Sequence, residues 1–151
     1  MLPEFLNVDL ELESNRSLDL IAQQFGDNVS VLHNGPLNDI PYLLAMEVYA
    51  GDDHDPESII DAFCDLVENL PPKAKASWRQ CTARRFDIGI ESAAGVAKRF
   101  GALCLSISPQ TMKRVAALSA EIVITVYPVM APEPKTKSKP KAKTKPKAKK
   151  K

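Results

Sequence analysis

Leu6-Asn7-Val8-Asp9-Leu10-Glu11-Leu12-Glu13 alternates large aliphatic and polar residues with a strict period of two. A helix turns about 100° per residue and would scatter those four leucines and valines around its circumference, whereas a strand places them all on one side. The stretch therefore reads as a strand with an apolar face and an acidic, wet one. A sheet with one solvated face needs helices on the other.

Leu18, Ile21, Ala22 and Phe25 recur at helical spacing between a capping serine, Ser14 or Ser17, and Gly26, which fits a short amphipathic helix. Val29–His33 and Tyr42–Tyr49 read as strands separated by the turn formers Asn34-Gly35-Pro36, with Leu44, Met46 and Val48 on one side of the second. Asp55-Pro56-Glu57 opens the clearest helix: a cap, a proline suited to the first turn and an acid at the positive end of the dipole, followed by Ile59, Ile60, Phe63, Val67 and Leu70 on one face. Pro71-Pro72 ends it and starts another helix through Cys81, with Ala74, Trp78 and Cys81 on a shared side. Phe86, Ile88 and Ile90, then Leu103, Leu105 and Ile107, alternate as strands. Ser108-Pro109 opens a last helix with Met112, Val115 and Ala116 inward, and Ile122–Tyr127, apolar on both faces, fits a central strand.

The order is βαββααββαβ. It predicts one α+β domain over residues 1–131, a mixed or antiparallel sheet of about six strands with its helices on one face. Residues 132–151 contain ten lysines, Lys135, Lys137, Lys139, Lys141, Lys143, Lys145, Lys147, Lys149, Lys150 and Lys151, among Pro, Ala and Thr. With no large apolar residue to offset ordering entropy, this tail is expected to be disordered.

The helix end Leu66–Pro72, the strand Phe86-Asp87-Ile88-Gly89-Ile90 and the run from Leu105-Ser106-Ile107-Ser108-Pro109 through Val115–Leu118 to Ile122–Tyr127 resemble a bacterial family of uncharacterised domains, DUF four-two-seven-nine. That family similarly closes with a strand, a helix opened by Ser-Pro and a final strand ending in Tyr. The resemblance implies a fold and no reaction.

Charge is strongly segregated. Residues 1–69 sum to −14, residues 70–131 to +6 and the tail to +9, giving the net +1. An acidic half suits a basic protein partner, with Asp9, Glu11 and Glu13 as the binding face. The tail suits a non-specific tether to DNA or RNA, because lysines neutralise phosphates without reading bases. Lys73, Lys75, Trp78, Arg79, Arg84 and Arg85 form a second basic patch with an aromatic that could stack on a base, although a lone tryptophan at helical spacing also fits a core anchor.

Chemistry is less well supported. Gly51-Asp52-Asp53-His54-Asp55 gathers three carboxylates and an imidazole that suit Mg2+ or Mn2+, but it matches no EF-hand and also fits an exposed loop whose Asp55 caps a helix. Asp9, Glu11 and Glu13 would face Asp87 and Glu91 if the first and fourth strands pair, yet wet-face carboxylates ordinarily keep ordinary acidity. Cys64, Cys81 and Cys104 lack disulfide or zinc spacing, neither His33 nor His54 lies in a signature with a cysteine, and no Gly-rich phosphate loop occurs. No metal, cofactor or catalytic residue is expected. The absence of a long apolar run or a signal-peptide pattern predicts a cytoplasmic protein with no membrane span; the sequence sets no oligomeric state. The leading reading is a non-catalytic binding module, immunity- or adaptor-like, with a nucleic-acid-tethering tail. The alternatives are an enzyme using Asp52–Asp55, or a tail that serves only solubility or pairing with its own acidic domain.

Overall fold

The structure is a computed structural model that describes residues 2–49, 55–92 and 102–128. Its central strand is the one the alternation predicts, β1 (Glu4–Ser14). Helix α1 (Asp19–Phe25) follows, then β2 (Val29–Leu37), β3 (Ile40–Val48), α2 (Pro56–Glu68), α3 (Pro72–Arg79), β4 (Ala83–Glu91), α4 (Pro109–Ala117) and β5 (Glu121–Tyr127). The sheet is mixed and five-stranded, in the order β2-β3-β1-β4-β5. Among the described strands only β4 and β5 are parallel, and α4 lies in the crossover that a parallel pair needs.

β1 sits between β3 and β4, and from Val8 on its even-numbered residues face the helices; ahead of the register shift between Phe5 and Asn7 the phase is reversed, with Phe5 packed on the core and Leu6 turned to the open face. Leu10 lies opposite Met46 on one side and Phe86 on the other, and all three are fully buried. Against this row pack Ile21 and Phe25 of α1, Ile59, Ile60 and Phe63 of α2, Trp78 of α3 and Val115 of α4. Truncating Leu10 to Ala should cost about 2–5 kcal/mol through lost burial and a residual cavity.

The starts of α2 and α4 follow from sequence, whereas the serine cap expected for α1 does not form: its N-cap is Leu18, with no side-chain cap bond. Asp55 accepts from the Ser58 N–H at 3.0 Å, Ser108 accepts from the Thr111 N–H at 3.3 Å, and Pro56, Pro72 and Pro109 each occupy a first turn. Gly26, at φ 52°, ends α1 in the left-handed region that glycine enters without strain.

Four other expectations need correction. Leu103–Ile107 alternates between half-buried and exposed residues, as a strand would, but joins no ladder among the described residues, which hold five strands rather than six. Alternation shows which side faces the core, not whether a partner strand exists. The β2–β3 turn is Asn38-Asp39, with Asn38 at φ 50°, while Asn34-Gly35-Pro36 lies inside β2. A proline is tolerated there because β2 is an edge strand. β5 is the other edge strand rather than a central one. Finally, α4 turns Thr111 and Val115 inward and leaves Met112 and Ala116 exposed, because its inner face is partly polar.

That polar face joins α4 to α2. The Thr111 hydroxyl lies 2.8 Å from Glu57 Oε1 and 3.1 Å from Asp61 Oδ1. Arg114 bonds Asp61, Asp65 and Glu68, three acids spaced at one turn along α2. Hydrogen bonds to Glu68 and then Asp65 hold the Arg114 guanidinium well above its ordinary range. No helix among the described residues is long and apolar enough to cross a membrane.

Candidate functional site: a carboxylate row on the open sheet face

Because β1 turns its even-numbered residues to the helices, Asn7, Asp9, Glu11 and Glu13 lie on the opposite face. Antiparallel pairing sets Asp9 level with Glu47 of β3 on one side and Asp87 of β4 on the other. Three carboxylates from three neighbouring strands thus form one row. The expected pairing of the first and fourth strands is found, and it brings Asp9 and Glu11 towards Asp87. Glu91 falls outside the row, since it is level with Glu4 at the far end.

The row is charged unevenly. Glu13 is neutralised by Arg85, which also bonds Glu121 at 3.0 Å. Thr125 places its hydroxyl 2.7 and 2.9 Å from the two oxygens of Asp87. Asp9 has no such help: its Oδ1 is buried and, among the described residues, meets no hydrogen-bond donor. Burial, then Glu47, Glu11 and Asp87, push the Asp9 carboxyl up to about 6 from its ordinary 3.8. Glu11 is raised too, by burial and Asp87, with Arg85 pulling the other way. The expectation of ordinary acidity on this face is therefore wrong for Asp9 and Glu11, because neighbouring strands crowd the carboxylates and shut out part of their water.

Tyr127, at the end of β5, closes one side of this row. Its ring carbon Cε2 lies 3.5 Å from where a side chain on Gly89 would begin, so the ring lies over β4 in ordinary contact distance of that position. Leu6, Asn7, Asp9, Glu47, Asp87, Gly89 and Tyr127 line a depression of about 230 Å3. Its chemistry is that of an anionic, protonatable surface next to an aromatic ring. Among the described residues no three His, Cys, Asp or Glu side chains converge closely enough to hold a metal ion. Glu47 and Tyr127 escaped the sequence reading. The parity of β3, with Leu44 and Met46 inward, was the signal that could have placed Glu47.

The basic patch divides. Lys75, Trp78, Arg79 and Arg84 border a groove of about 460 Å3 beside α3 and the end of α4, whereas Arg85 is on the other face of the sheet with Glu13. Trp78 is 5% exposed and its indole N–H donates to the Leu118 carbonyl at 3.0 Å. It is a core anchor with no free face for a base. Arg84 stands over its ring and donates to the carbonyls of Trp78, Arg79 and Ser119, capping the ends of α3 and α4.

Cys64 and Cys81 are buried, and burial pushes both thiols up to about 11, away from nucleophilic use; Cys104 is exposed. Asp52, Asp53, His54 and the lysines from Lys135 to Lys151 lie outside the described residues, while Asp55 is occupied as the α2 cap. No family model, no curated protein and no solved structure matches this chain.

Proposed function

We propose that this protein is a non-catalytic binding module that docks a cationic segment of a protein partner on its open sheet face, while its lysine-rich tail holds it on nucleic acid. The observation that carries the first part is the Glu47–Asp9–Asp87 row, in which a buried Asp9 oxygen meets no donor among the described residues. An arginine or lysine laid across the row would supply that donor, screen three like charges and leave the helices undisturbed. The tail part rests on composition: ten lysines and one glutamate in the last twenty residues.

Titrating the full chain with a short arginine-rich peptide tests the docking face. Binding should tighten as pH rises through about 6, because the cation binds the ionised form of Asp9 and so displaces its proton. Asp9→Asn combined with Glu47→Gln should weaken binding at least about tenfold and flatten the pH dependence. Equal affinity for both proteins would assign the peptide to another surface.

A further inference from the structure

The two edges of the sheet are built differently. β2 is interrupted by two register shifts and carries Gly35 and Pro36, devices that break up the backbone groups a strand offers to another chain. β5 has neither. It pairs with β4 without a shift from Glu121 to Tyr127, and between those ends it holds only the β-branched residues Ile122, Val123, Ile124, Thr125 and Val126. Among the described residues, no strand pairs with its outer edge.

Side-chain exposure agrees with this. Ile124 is level with Ile88 and Val126 with Ile90, so both lie on the helix-bearing face. Yet Ile124 is 62% and Val126 60% exposed, against 3% for Ile88. Helix α4, which packs beside β5, also leaves an apolar side chain open. At about 100° per residue, the side that bonds α2 through Thr111 and Arg114 and the buried Val115 leave Met112 and Ala116 on the flank away from α2. Met112 is 49% exposed there.

We infer that β5 pairs antiparallel with β5 of a second copy of this chain, about a two-fold axis through Ile124, joining two five-stranded sheets into one. Reversal about Ile124 sets Ile122 opposite Val126, Val123 opposite Thr125 and Glu121 opposite Tyr127. No like charges meet, and Glu121 already has Arg85 as its ion-pair partner. Such self-complementarity is what a two-fold interface requires, and it selects a second copy over an unrelated strand. The paired strands and the strip of Met112, Ile124 and Val126 bury on the order of 1,200 Å2, where specific interfaces begin, so the dimer is concentration-dependent. Because the axis is normal to the sheet, both acidic faces lie on one side and each particle carries two tails, which multiplies tail affinity through effective concentration.

Sedimentation equilibrium of the full chain under reducing conditions should show monomer and dimer in exchange. Ile124→Lys, at a position open to solvent in the monomer, should raise the dissociation constant at least about a hundredfold, since each dimer buries the charge twice. Its circular dichroism should match the parent. In a Cys104→Ser background, Ile124→Cys should form an intermolecular disulfide on oxidation because the two positions are mutual partners. Val126→Cys should not, lying roughly 13 Å from its symmetry mate. The inference is overturned by a monomer at all concentrations, by undiminished dimerisation of Ile124→Lys, or by equal cross-linking of both cysteines. It is equally overturned by a monomer whose Ile124→Cys thiol resists labelling, which would show that the chain's own residues cover the strip.

Discussion

Asp9 and Asp87 stand directly opposite each other on β1 and β4, two like charges where paired strands ordinarily set a neutral or complementary pair. Glu47 holds the equivalent position on the other side of Asp9. The fold gains nothing from this row: a hydrophobic or mixed-charge row would serve the sheet better. A local feature that costs the sheet stability in this way is where a binding role is best sought, as the docking proposal does.

Asp9→Asn is expected to stabilise the protein well above pH 6. The folded state holds the Asp9 proton up to about 6, the unfolded chain only to its ordinary 3.8. The proton's contribution is thus fully present below 3.8 and lost as pH rises through 6, leaving an ionised Asp9 among like charges. Replacing it should recover about 1 kcal/mol, after discounting for solvent screening of this partly exposed row. Below 3.8 the two proteins should denature alike. Urea melts at one pH on each side of the window check this, and an equal gain at both would locate the effect in packing instead.

Arg114→Met tests the join between α2 and α4. Arg114 is the cation among Asp61, Asp65 and Glu68, and its loss leaves three acids along one helix face with like neighbours. The expected cost is about 1–2 kcal/mol, kept modest because the partners are partly exposed. Raising the salt concentration should shrink the difference, since screening reduces both the attraction lost and the repulsion uncovered. A salt-independent loss would point to the packing of the arginine stem.

Local patterns were legible where one element carries its own signal. The alternation Val8–Glu13 marked both the position and the facing of β1, Asp55-Pro56-Glu57 marked the start of α2, and only Leu6, beyond a register shift, falls on the opposite face from the one its period implies. Patterns failed where the answer depends on another part of the chain. Leu103–Ile107 has the period of a strand and no partner, and β5 looks central by composition but lies at the edge. Met112 was placed inward because it is apolar. The bonds of Thr111 and Arg114 to α2 decide otherwise. The carboxylate row was half visible, since Asp9 and Asp87 follow from two strand phases, whereas Glu47 needed β3 to be in register beside them.

Trp78 provides an internal probe, as the single tryptophan of the chain. Its burial and its bond to the Leu118 carbonyl predict blue-shifted emission that single-stranded DNA leaves unchanged, because a base has no free indole face to meet. Trp78→Phe should keep the fold but lose about 1 kcal/mol with that hydrogen bond. Strong quenching on adding DNA would restore this tryptophan to a nucleic-acid interface.

The tail makes the sharpest separation of roles. Residues 1–131 alone carry a net −8, so they should repel duplex DNA, whereas the full chain should bind it without sequence preference through Lys135–Lys151. Each neutralised phosphate releases condensed counterions, so log affinity should fall with log salt by about 0.9 per contact. Ending the chain at Ala131 should leave the melting temperature nearly unchanged, because the removed residues hold no large apolar side chain whose burial could stabilise the fold. Mobility-shift titrations at several salt concentrations, run beside thermal melts of both proteins, separate binding from stability. Loss of DNA binding with an unaltered melt supports a tether. A marked drop in melting temperature would instead show the tail docked on its own acidic face, and undiminished DNA binding would transfer that role to Lys75, Arg79 and the groove beside α3.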